Sequence, residues 1–197
     1  MTLVNGVVLF PGSGSSSTHS SLIAMEEALA PLPVARVDFP YRKAGKSFPD
    51  KAPVLVQCVK DEVRAFASSL GVETSSLVIG GRSMGGRMCS MAVADETDPL
   101  TVAGLVLVSY PLHPPKKPDA RRIEHLPNVD VPTLCVSGTK DDFGTPEELQ
   151  EAFDVVRSRV TWCWIENARH ELARKDADVA IVVRDWVASL SASNQRD

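Results

Sequence analysis

Residues 78–88 read "VIGGRSMGGRM". Apolar Val78 and Ile79 run into Gly80 and Gly81, a single Ser83 follows, and Gly85 and Gly86 stand beyond it. Gly81-Arg82-Ser83-Met84-Gly85 spells G-x-S-x-G. That pattern suits a sharp strand-to-helix turn that holds its serine in a sparsely populated backbone conformation. Residues two places either side must then lack side chains, because the backbones crowd together there. With 12 glycines in 197 residues, two at those offsets from a serine arise by chance roughly 0.07 times. A flexible glycine loop is the plainer alternative. An apolar run before the motif and a helical pattern after it favour the elbow, with Gly80 and Gly86 easing strand-to-helix packing around it.

On both sides of this stretch, short apolar runs alternate with longer helical patterns. Strands are expected at 4–10, 34–39, 76–81, 103–110, 132–138 and 160–166, and helices at about 20–30, 53–70, 84–94, 146–158 and 175–190. The helix over 53–70 is the clearest, with Val56, Val59, Val63, Phe66 and Leu70 at spacings of three and four. The segment 41–52, next to Pro40 and holding Gly45 and Pro49, reads as a loop. Such alternation predicts a parallel sheet covered by helices on both faces. Functional groups in such sheets gather beyond the carboxyl ends of the strands.

Composition excludes several classes. The net charge is −4, so no global basic field recommends a nucleic-acid partner. The cluster "KKPDARR" (116–122) is short and broken by Pro118 and Asp119, and reads as a solvated loop. No apolar run approaches a membrane span, and the N-terminus lacks a secretory pattern. Cys58, Cys89, Cys135 and Cys163 lie far apart in apolar segments, without metal-type spacing. They read as buried thiols in a reducing compartment, which points to the cytoplasm. "SASNQRD" (191–197) reads as a frayed tail.

A serine hydroxyl is a weak nucleophile and needs a base, which needs an orienting acid. His170, in "ENARHEL", follows the sixth strand and suits the base. His19 lies in the first polar loop, and His113 and His125 lie in a proline-rich excursion. Asp141 and Asp142, in "SGTKDDFG", both stand just beyond the fifth strand as acid candidates, Asp141 preferred. The chain order serine, acid, histidine is the one such elbows use. Backbone amides of Met84 and of Ser13, in Pro11-Gly12-Ser13-Gly14, are the candidate oxyanion donors. "FPGSGSSST" lacks the G-K-[S/T] ending of a phosphate loop.

On "GGRSMGGRM" (80–88), "SYPLHPP" (109–115), "HLPNVDVPTLCVSGTKDDFG" (125–144) and "ARHEL" (168–172), the chain resembles α/β-hydrolases of the dienelactone-hydrolase-like kind. More narrowly, it resembles the short family typified by testis-expressed α/β-hydrolase-like proteins, with a relative among the subunits of the NSL histone-acetyltransferase complex. The resemblance spans about 5–190. It implies a Ser83, Asp141, His170 triad and so selects the first aspartate. Two departures stand out. Phe10-Pro11-Gly12 replaces the common His-Gly of the first loop, and serine stands where dienelactone hydrolases proper carry cysteine.

The expected architecture is α/β: a single-domain minimal α/β-hydrolase over 1–190, with about six mostly parallel strands, helices on both faces and no large cap. The expected chemistry is hydrolysis of a small or accessible carboxylic ester or thioester through an acyl-enzyme on Ser83. The expected partner is a small-molecule acyl substrate, with no cofactor, metal, nucleic acid or membrane. Because the resembling family includes scaffold-like members, the alternative is a non-catalytic interaction module that keeps the fold.

Overall fold

The computed structural model describes residues 3–192. Six strands form one sheet: β1 (Gly6–Phe10), β2 (Val34–Arg36), β3 (Leu77–Arg82), β4 (Gly104–Val108), β5 (Thr133–Gly138) and β6 (Val160–Ile165). Their order is β2-β1-β3-β4-β5-β6, and every neighbouring pair is parallel. Six helices connect or follow them: α1 (Ser20–Leu29), α2 (Pro40–Lys43), α3 (Ala52–Leu70), α4 (Met84–Val93), α5 (Pro146–Phe153) and α6 (Asp176–Ala192).

The central strands are apolar without interruption because both of their faces are covered. Side chains alternate between two cores. Val8 and Phe10 of β1, Ile79 of β3 and Leu105 and Leu107 of β4 join the core shared with α3, α4 and α5. Val7 and Leu9, Val78, and Val106 and Val108 face the opposite core, shared with α1 and α6. From β1 the chain steps outward to β2, then returns to lay β3 on the other side of β1. Order therefore reverses between β1 and β3, where an open α/β sheet leaves a crevice at its carboxyl edge.

Several boundaries differ from the sequence reading. Pro40 does not open a loop but stands at the start of α2, where its fixed φ suits a first helical turn. Tyr41 of that turn is buried. β2 is shorter than expected, since Asp38 turns away to bind the Ser17 amide and hydroxyl at 2.7 and 2.9 Å. α5 stops at Phe153, and the Arg157 amide instead donates to the Val129 carbonyl at 3.0 Å. Cys58, Cys89 and Cys135 are buried thiols, whereas Cys163 is half-buried. The expected tail over 191–197 begins inside α6, which runs to Ala192; residues 193–197 lie outside the described residues.

Between β4 and β5 the chain forms only a 3₁₀ turn, Leu126–Asn128, and no cap helix. Among the described residues, no helix is long and apolar enough to cross a membrane.

Candidate active site

Ser83 sits between β3 and α4 with φ 51° and ψ −118°. An L-residue visits such a conformation only when its surroundings enforce it. Here two close approaches do so. A Cβ added to Gly81 would lie 2.1 Å from the Phe10 carbonyl oxygen, and one added to Gly85 would lie 2.3 Å from the same atom. The end of β1 thus presses into both flanks of the turn, and only hydrogen fits. Gly80 has a different partner from the one expected: its added Cβ would strike the Val106 backbone of β4 at 2.2 Å, a strand–strand contact. Gly86 does meet β3, at the Gly81 carbonyl.

Three side chains from three connections meet at this edge. His170 Nε2 is 2.8 Å from Ser83 Oγ. His170 Nδ1 lies 3.0 and 2.9 Å from the two carboxylate oxygens of Asp141. A carboxylate only accepts, so Nδ1 carries the proton and Nε2 is left to accept from the serine hydroxyl. Asp141 has no exposed side-chain surface, and the Phe143 amide also donates to it at 2.8 Å. Asp142 points elsewhere, with two-thirds of its side chain exposed near Arg169. Phe143 covers the imidazole, ring centroids 4.0 Å apart and planes 29° from parallel.

The two expected oxyanion donors border the same cleft, which encloses about 580 Å³. Met84 opens α4, so its amide has no carbonyl four residues back within the helix. Ser13 follows Gly12, whose added Cβ would lie 3.6 Å from Ser83 Cβ. The Tyr41 hydroxyl donates to the Ser13 carbonyl at 2.8 Å and so holds that loop from α2.

Sequence reasoning passed over Arg82, Ser109 and Phe143. Arg82 is buried at the end of β3 and donates to the His170 carbonyl at 3.1 Å and to Glu171 Oε2 at 2.8 Å. The Ser109 hydroxyl donates to the same His170 carbonyl at 2.9 Å. Ser109, just past β4, also has positive φ, 52°. An arginine ending an otherwise apolar strand was the available signal for Arg82. The other histidines do other work. His19 caps α1 by accepting from the Ser21 amide, and burial, with Arg82 beside it, lowers its pKa. His113 lies 3.4 Å from Glu148, and His125 lies 2.8 Å from Ser90.

A model of the alpha/beta hydrolase domain family matches residues 4–190. The chain belongs to that family. Solved structures superpose on it across nearly their whole length. Est1E from Butyrivibrio proteoclasticus is 15% identical, with a TM-score of 0.76 over 98% of this chain and 90% of that one. A dienelactone hydrolase from Anabaena variabilis is 21% identical, with a TM-score of 0.71 over 94% and 87%. A monoacylglycerol lipase from Paleococcus ferrophilus is 15% identical, with a TM-score of 0.71 over 96% of both chains. At these identities the likeness is one of fold.

Proposed function

We propose that this α/β-hydrolase cleaves a small or accessible carboxylic ester or thioester through an acyl-enzyme on Ser83. The observation that carries the reading is the continuous series Ser83 Oγ, His170 Nε2, His170 Nδ1, Asp141, with steps of 2.8 and 2.9 Å. The esterolytic names of its structural neighbours support the same bond class.

In this reading Ser83 Oγ attacks the carbonyl carbon as its proton passes to His170 Nε2. Asp141 stabilises the imidazolium that results. The Met84 and Ser13 amides hold the negative charge that develops on the carbonyl oxygen. Collapse breaks the bond to the leaving alcohol or thiol, which takes the proton from His170. Water then loses a proton to His170 and attacks the acyl carbon. The second collapse releases the carboxylic acid and returns the proton to Ser83. Phe143 shields one face of the imidazole, and the absence of a cap helix between β4 and β5 suits accessible acyl groups. Four unpaired cysteines fit a reducing, cytoplasmic setting.

Labelling by a fluorophosphonate probe, together with 4-nitrophenyl acetate turnover, tests the reading in the parent protein and in Ser83→Ala. Labelling and turnover that vanish in the variant support it. A folded parent with neither would leave the interaction-module alternative in its place.

A further inference from the structure

Three arginines border the cleft that holds Ser83, and they are not equivalent. Arg82 is matched by Glu171 at 2.8 Å. Arg87 and Arg122 have no ion-pair partner among the described residues, and Arg87 Nε is buried without any hydrogen bond. In a chain of net charge −4, this is a local reversal of sign next to the reactive serine.

The backbone fixes the position of each residue beside the cleft. Arg87 lies one turn along α4 from Ser83, its amide donating to the Ser83 carbonyl at 3.1 Å. Helical side chains lean toward the N-terminus, so Arg87 leans toward the serine end of its helix. Arg122 is pinned to the stretch just after β4. Its amide donates to the Leu112 carbonyl at 2.8 Å and its Nη1 to the Pro111 carbonyl at 3.2 Å, while its own carbonyl accepts from Tyr110 at 2.6 Å. Arg122 feels its neighbour: burial first, and then Arg87, lowers its pKa. Two like charges bordering one cleft and partly out of water cost free energy that an anion between them relieves. A guanidinium also offers a planar fork matched to carboxylate or phosphate oxygens.

We propose that the substrate of this cleft carries an anionic group, a carboxylate or phosphate a few atoms from the scissile carbonyl, held by Arg87 and Arg122. The proposal rests on the serine-hydrolase reading of the same cleft. It narrows the substrate from any accessible ester to an acidic one.

The kinetic test compares 4-nitrophenyl hydrogen adipate with methyl 4-nitrophenyl adipate, which share a leaving group and chain length and differ by one charge. The parent should favour the acidic ester in kcat/KM by about tenfold or more, the range one charge-assisted hydrogen bond supplies. Arg87→Gln and Arg122→Gln should each bring that ratio toward one, and Arg122→Glu should invert it. If Arg87→Gln does not fold, the two Arg122 variants carry the comparison. Ser83-dependent turnover of both esters at equal rates overturns the proposal and leaves the hydrolase reading standing.

If neither ester is turned over, calorimetry on Ser83→Ala still decides the anion site, with succinate and inorganic phosphate as separate probes. Saturable binding that is lost in Ser83→Ala/Arg122→Gln supports the site, and the tighter probe identifies the headgroup. No binding of either probe overturns it.

Discussion

The Arg82 guanidinium and the His170 backbone carbonyl are 3.1 Å apart, although 88 positions separate them in the chain. β3 therefore delivers the serine at its end and also, one residue earlier, the group that anchors the serine's partner. Removing that anchor should disturb alignment more than folding, because Glu171, the carboxylate left behind, is largely exposed. Arg82→Met is expected to lower kcat about tenfold or more, with little change in KM. Arg82→Lys, which restores one donor, should recover part of the loss. Steady-state kinetics beside a thermal melt separate this from simple destabilisation.

Asp141 and Asp142 are adjacent, yet only Asp141 faces the imidazole. Asp141→Asn is expected to reduce kcat by roughly 10⁴, because an amide in that place favours the wrong histidine tautomer. Asp142→Asn should stay within about twofold, since its exposed pairing with Arg169 contributes little. Turnover of 4-nitrophenyl acetate by the two variants checks the contrast.

The elbow's steric demand is testable without any substrate. Gly85→Ala would put a methyl group 2.3 Å from the Phe10 carbonyl oxygen, a clash with backbone that cannot step aside. A loss above about 4 kcal/mol, or no folding at all, is expected. Gly14→Ala has nothing within 4 Å of its added Cβ and should change stability by less than about 0.5 kcal/mol. Urea denaturation of the soluble variants, and solubility on expression, give the comparison.

His125 supplies a pH dependence. Burial, followed by nearby Arg87, brings its pKa down from 6.5 to about 4. The unfolded chain thus binds a proton that the folded one refuses between those values, so stability falls as pH drops from 6.5 toward 4. His19, also lowered by burial, adds a contribution of the same sign. His125→Gln should flatten the slope across that window, by a total on the order of 3 kcal/mol at most. Urea midpoints measured from pH 7 to pH 4 read the effect; an unchanged slope would count against it.

Much of this protein was legible in its sequence, for a local reason. Strand and helix periodicities are written within a dozen residues, so the alternation that builds the parallel sheet was readable before any contact was known. The glycines around Ser83 were equally readable, since crowding at a strand-to-helix turn acts on immediate neighbours. Even there, the identity of the crowding atom was not. It is the Phe10 carbonyl for Gly81 and Gly85, and the Val106 backbone for Gly80.

Relations between residues far apart in the chain came only with the fold. Proline and glycine density made 41–52 look like a loop, yet α2 forms there and its Tyr41 reaches back to hold the Ser13 loop. Spacing alone could not choose between two adjacent aspartates. The turn after β5 buries one against His170 and leaves the other in water. Nor could spacing show that Arg82 is matched by Glu171 while Arg87 and Arg122, on the same cleft, have no ion-pair partner among the described residues. A side chain's chemistry is a property of its own position. Its charge balance and orientation belong to whichever distant segments the fold brings beside it.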